Sequence, residues 1–246
     1  MIKRRLNDIH SFHHEKRIMR YRLAVEDMEP NHFVCWMLDL PGSYSSARTK
    51  EDAVALAPSR IAEYFAWIRR HDPASPATVG SVEVELVEDF KAYTSIEDRD
   101  YLVNAFFDDD RRSLSGSDVE TGLQLMDWSR HDLLQAIAQL TSEQLHRPIE
   151  GEVRGSVLGI LEHVCGAENW YFGQFDLSIN RAALPSDVRS KLEAVRDNTR
   201  MQLSKLVGRD RITESCGEKW SARKILRRTL WHERAHTEQI VRLTSR

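Results

Sequence analysis

His232 and His236 stand four residues apart on a stripe that, counted by threes and fours from Ile225, runs through Thr229, His232, His236, Gln239 or Ile240, and Leu243. On a helix, residues four apart lie one turn above each other with Cβ atoms about 5–6 Å apart. Two imidazoles at that separation can converge on one ion. The stripe also predicts that both rings face the interior of whatever packs on the helix. Burying a polar group without a partner costs roughly 2–7 kcal/mol, so rings buried there need partners. A divalent ion shared with a third histidine would satisfy them. His163, in line with Ile160 and Ala167 on a second predicted helix, is the candidate. Spacing alone leaves another reading open, because His-x-x-x-His occurs in many helices and is weak evidence by itself.

Three protein histidines would leave at least one coordination position for water or substrate, as in a catalytic rather than a closed structural site. Imidazole suits zinc, nickel, iron or copper, so the cofactor is read as a divalent transition metal of undetermined identity. Such an ion lowers the pKa of a bound water or thiol and creates a nucleophile near neutral pH.

Other side chains receive quieter readings. Glu168 is five positions past His163, roughly 140° around the helix, which predicts a surface or supporting role rather than ligation. Glu233, beside His232, is expected to be solvated. Trp170, Tyr171 and Trp231 could line a substrate pocket, but aromatics at helical spacing belong more often to a core. His131 is a weak candidate ligand. The cluster His10, His13 and His14 falls in a polar, basic leader with no rigid element to preset its geometry, so solvent exposure is expected. Cys35, Cys165 and Cys216 are odd in number and far apart, without a Cys-x-x-Cys pair. They read as buried, inert thiols in a reducing cytoplasm.

The elements that must position these residues fall into two halves. From 21 to 94 the pattern is strand-like around one helix, whereas after Ser117 it is helical, which suggests separate domains. Tyr21, Leu23 and Val25 alternate as in a half-buried strand. The apolar run Phe33 to Leu40 ends at the turn signal Pro41-Gly42. Thr49 with Asp52 forms a box-like helix start. The helix is expected to run to about Arg70, kinked or split at Pro58. A loop over 71–76 leads to a strand through Val82, Val84 and Leu86. The order is β-β-α-β, an α+β domain over 1–112. The charge block Asp108-Asp109-Asp110-Arg111-Arg112 is read as solvated surface at the boundary. Residues 113–246 are then read as an all-α four-helix bundle. Its helices start near Ser117-Asp118, Ser156, Ser186 and Ser221.

Two resemblances attach to these segments. Phe33 to Tyr44 (FVCWMLDLPGSY), with the Thr49-Lys50-Glu51-Asp52-Ala53 helix start, resembles the HicB antitoxin family over about residues 20 to 95. It departs from that pattern at Ser43, Asp52 and Pro58. That family binds a partner toxin, and many members carry a separate DNA-binding segment. With no such segment here, toxin neutralisation does not carry over, and the resemblance implies only a binding or packing module.

In the second half, Leu161-Glu162-His163-Val164 with Glu168-Asn169-Trp170-Tyr171 resembles the DinB/YfiT-like superfamily of candidate metalloenzymes. The last helix, Trp231-His232-Glu233-Arg234-Ala235-His236-Thr237-Glu238-Gln239-Ile240, and its lead-in Trp220 to Leu226 are similar to it too. Over residues 117 to 244 this resemblance implies His163, His232 and His236 as the metal ligands. It further implies a metal-dependent enzyme, either a transferase acting with a low-molecular-weight thiol or a metal-assisted hydrolase, and a homodimer. The alternative is a non-catalytic metal-binding or partner-binding protein in which the HicB-like part is an interaction module.

Composition sets the outer limits. The 246 residues carry a net charge of −3 and no long basic run. Nucleic acid, which is held by many clustered lysines and arginines, is therefore not expected as a partner. No stretch approaches the roughly 20 apolar residues of a membrane span, and no apolar segment of signal-peptide type follows Met1-Ile2-Lys3-Arg4-Arg5. A chain that is neither secreted nor membrane-embedded is expected, with a small molecule as its substrate.

Overall fold

Alternating apolar residues make the N-terminal part strand-rich, and the computed structural model describes residues 18–75 and 81–245. The histidine cluster at 10, 13 and 14 and the end of the loop read at 71–76 lie outside the described residues. Strands β1 (Met19–Glu29), β2 (His32–Met37) and β3 (Tyr44–Ala47) are joined in antiparallel fashion. Helices α1 (Lys50–Ala55) and α2 (Ala57–His71) follow, and β4 (Val82–Lys91) returns parallel to β1, giving the sheet order β3-β2-β1-β4. The order is thus β-β-β-α-α-β. The short, serine-containing β3 has no apolar alternation to announce it.

Pro58 divides the helix as its chemistry requires. It sits in the first turn of α2, where its missing N–H would have lacked a partner anyway. Thr49 caps α1 by accepting from the Asp52 backbone N–H at 3.1 Å.

The half-buried reading of β1 holds for one face only. Tyr21, Leu23 and Val25 pack with Cys35 and Met37 against Ala53, Ala57 and Ile61 of α1 and α2. The other face is covered as well: Ala24, Val34, Trp36 and Tyr44 pack with Ala105, Phe107 and Trp231. Glu26, on that face, is fully buried and accepts from the Ala105 backbone N–H at 2.7 Å. In β4 a bulge after Leu86 breaks the alternation, leaving Leu86 and Val87 exposed.

Past β4 come the short pair β5 (Tyr93–Thr94) and β6 (Leu102–Val103) and a 3-10 turn over Asp108–Arg111. The charge block is not uniformly solvated. Asp110 is 1% exposed and binds Arg227 Nη2 at 2.6 Å, because the turn is pressed against the last helix.

The C-terminal part is helical, with α3 (Gly116–Ala136), α4 (Ser142–His146), α5 (Val157–Gly173), α6 (Val188–Lys205) and α7 (Ala222–Thr244). The hairpin β7 (Thr213–Ser215) and β8 (Glu218–Trp220) precedes α7. Each long helix starts on a side-chain cap: Ser115, Ser156, Asp187 and Ser221 accept from the backbone N–H three residues on, as the first-turn donors require. Helix α3 packs on α7 and α6, and α5 packs on α6 and α7, closing a ring of four. At Gly122 the approach of α3 to α7 leaves no room for a side chain, since a Cβ there would stand 2.6 Å from Leu226 Cδ1. No helix among the described residues is long and apolar enough to cross a membrane.

Helix α7 lies between the sheet and the other helices. Trp231 packs on Trp36, ring centroids 5.1 Å apart. The β2–β3 turn touches it at Gly42, whose φ of 78° suits glycine and where a Cβ would stand 3.1 Å from Leu230 Cβ.

Candidate metal centre

The α5 stripe carries His163 inward and the α7 stripe carries His232 and His236. The structure brings the three rings together. His232 Nε2 lies 3.0 Å from His163 Nε2 and 3.2 Å from His236 Nε2, and one nitrogen from each ring lies within 4.8 Å of the others. Four tetrahedral ligands at the usual zinc–nitrogen distance of about 2.0–2.1 Å have nitrogens roughly 3.3 Å apart. The two separations at His232 Nε2 are close to that value.

Proton placement sharpens the argument. Gln239 Nε2 donates to Glu152 Oε2 at 2.7 Å, so its Oε1 is left to accept from His236 Nδ1 at 2.6 Å. With its proton on Nδ1, neutral His236 offers a lone pair at Nε2. Arg154 Nη2 approaches His163 Nε2 at 3.3 Å. Arginine can only donate, so that nitrogen is also a lone pair. His232 Nε2 stands between two acceptors and can donate to only one. Three nitrogens therefore share at most one proton at this point.

The electrostatics agree. Burial pushes His163 down to about 4, helped by Arg154 and His236. Burial, then the other two histidines, hold His232 well below the ordinary imidazole value. Burial likewise lowers His236. All three are neutral near pH 7, the form that ligates.

The remaining candidates lie elsewhere. His131 is exposed, its ring 5.8 Å from that of His71. Tyr171 is buried in the core with its ring 6.0 Å from His232, Trp231 faces the sheet, and Trp170 is partly buried beside Trp220. Cys35 and Cys165 are buried, which raises their thiols to about 11 and about 12. Cys216 departs from the expectation: it is only half-buried, at the β7–β8 turn, with φ 52°.

The reading of Glu233 is corrected: it is not solvated. Of the two roles left open for Glu168, the surface one falls; both residues are 2% exposed. Arg196 Nη2 binds Glu233 Oε2 at 3.0 Å and Glu168 Oε2 at 3.1 Å. Arg130 Nε donates to Glu233 Oε2 at 2.8 Å, and its Nη2 to Glu168 Oε2 at 3.2 Å. The four side chains come from α3, α5, α6 and α7, so this neutral cluster ties all four helices together one residue from His232. Glu152, Arg154 and Gln239 are the neighbours of the triad that sequence reasoning did not single out as functional. Gln239, three residues past His236, was on the stripe; Glu152 and Arg154 lie in the loop before α5, with no periodicity to mark them.

Compared with protein-family models, curated proteins and solved structures, the chain matches none.

Proposed function

We propose that this chain is a metal-dependent enzyme in which His163, His232 and His236 hold one divalent transition metal. The observation that carries the reading is the meeting of three Nε2 atoms with at most one proton among them, an arrangement a cation relieves. The DinB/YfiT-like resemblance of the same residues supports it. With three protein ligands a position stays open for a reactant. The bound ion would supply Lewis-acid activation of a water or thiol, consistent with thiol S-transfer or hydrolysis.

The protein's own groups have distinct tasks. His163 comes from one helix and His232 and His236 from another, so ligation depends on how α5 and α7 pack. Gln239 keeps the His236 proton on Nδ1. Arg154 presents a cation at the side of the cluster, where it can meet an anionic reactant. The HicB-like sheet, fastened to α7 through Trp231, serves in this reading as scaffold for the helix that bears two ligands.

Elemental analysis of protein purified without a histidine tag tests the proposal. About one equivalent of transition metal per chain is expected, lost in the H232A/H236A double variant. A wild-type protein that stays metal-free after incubation with zinc, nickel and iron would overturn it.

A further inference from the structure

A cavity of about 750 Å³ lies away from the histidines. It lies between α2, α3 and α7, against Arg234, Thr237, Glu238 and Val241. Arg234 is two positions from both His232 and His236, roughly 200° around the helix, so this cavity opens on the opposite face of α7. Its size falls in the range of small-molecule sites, about 300–1,000 Å³.

The wall carries unspent positive charge. Arg60 is engaged by Glu238 at 2.7 Å and Glu63 at 2.8 Å. Asp132, the third acid in the wall, accepts from Trp67 Nε1 at 2.7 Å and faces His71 Nε2 at 3.1 Å. Arg70, Arg234 and Arg242 also line the cavity, and among the described residues none of the three is in an ion pair. Arg234 is the most telling. Its guanidinium lies 3.8 Å from the Trp67 ring centroid and 5.2 Å from that of Tyr64. Its Nη1, shielded from solvent, has no hydrogen-bond partner. Two further buried groups of the lining, Ser43 Oγ and Ser129 Oγ, are unpartnered as well. Unpaired buried donors are costly; these three atoms are closed off behind the wall, whereas Arg234 as a whole is only partly buried and lines the cavity beside Tyr44, Tyr64 and Trp67.

We propose that this cavity is a second binding site, for a small aromatic carboxylate. Its anionic group meets Arg234, and its ring lies among Tyr44, Tyr64 and Trp67. Arginine suits this task, since its planar fork pairs with a carboxylate while its face rests on an aromatic ring. The exposed Arg70 and Arg242 at the rim draw the anion in. The site does not depend on the metal reading.

Benzoate, benzyl alcohol and inorganic phosphate, titrated into the full chain by calorimetry and saturation-transfer NMR, provide the test. Benzoate is expected to bind, with neutral benzyl alcohol and phosphate each weaker by about tenfold or more, ~1.4 kcal/mol. R234Q should weaken benzoate by at least about tenfold. R242Q, an exposed change that leaves the fold intact, should weaken it severalfold, while H232A leaves it unchanged. Benzoate binding no tighter than about 10 mM, binding indifferent to both arginine changes, or equal binding of benzyl alcohol or phosphate would overturn the proposal.

Discussion

Gln239 Oε1 receives the Nδ1 proton of His236 at 2.6 Å, and the Gln239 amide is itself turned by Glu152. The relay leaves His236 Nε2 bare where the other two rings meet. Groups that orient a ligating histidine typically contribute 10–100-fold in metal affinity. Q239A should therefore weaken zinc binding by about 10–100-fold in competition with a chromogenic chelator, with the melting temperature of the metal-free protein nearly unchanged. E152Q should act in the same direction and less strongly. Wild-type affinity in Q239A would remove the relay from the account.

Arg154 predicts the opposite sign. Its guanidinium, 3.3 Å from His163 Nε2, competes with a cation for that lone pair and repels it. R154A should bind zinc more tightly than wild type, and the difference should shrink as salt screens the charge. If Arg154 also meets an anionic reactant, the variant gains metal while losing activity. Weaker metal binding in R154A would mean that the arginine supports the site rather than guarding it.

How much of this was legible depends on what each helix touches. The spacing of His232 and His236, the inward placement of His163, the break at Pro58 and the helix starts at Thr49, Ser156 and Ser221 all follow from local chemistry. Glu233 did not, because the stripe argument assigns α7 one wet side and this helix has none along that stretch: the sheet covers one flank and the other helices the rest. The same double cover buries Glu26, Lys224 and Asp110, each beside an opposite charge. Glu152 and Arg154 reach the site from a loop built on Gly151 and Gly155, both at positive φ. Nothing periodic points there.

The buried cluster makes a pH prediction. Burial alone would raise the Glu168 carboxyl, but the Arg196 and Arg130 guanidiniums outweigh it, with hydrogen bonds from Arg196 and Thr199, and hold it well below the usual carboxylate range. A carboxylate lowered on folding stabilises fully above its unfolded pKa and loses that contribution as pH falls through the folded value. Stability should therefore drop on acidification from about pH 4.5 downward. E168Q leaves Arg196 short of a charge partner, and breaking such a buried pair costs about 3–5 kcal/mol. The variant should be far less stable at pH 7, and its deficit should narrow below about pH 4.5. Denaturant midpoints at several pH values check this; a deficit constant with pH would show that the charge of Glu168 is not what the cluster uses.

Trp231 tests whether the sheet belongs to the site. It is the residue before His232, and its ring meets Trp36 at 5.1 Å, Tyr44 at 6.4 Å and the Arg228 guanidinium at 4.7 Å. Truncating a buried tryptophan costs about 3–5 kcal/mol, which for a chain of this length is roughly 6–20 °C in melting temperature. The consequence for function is more specific. Without that anchor the sheet no longer fixes the rotation of α7 one residue from a proposed ligand, and His232 loses its alignment with His163. W231A should thus lower metal affinity, and W36A, made on the sheet and distant in sequence from any ligand, should lower it too. Calorimetric titration of both variants with zinc, below their melting transitions, reads the effect directly. If W36A loses stability yet binds zinc as the wild type does, the sheet is a neighbour of the proposed metal centre and not part of its framework.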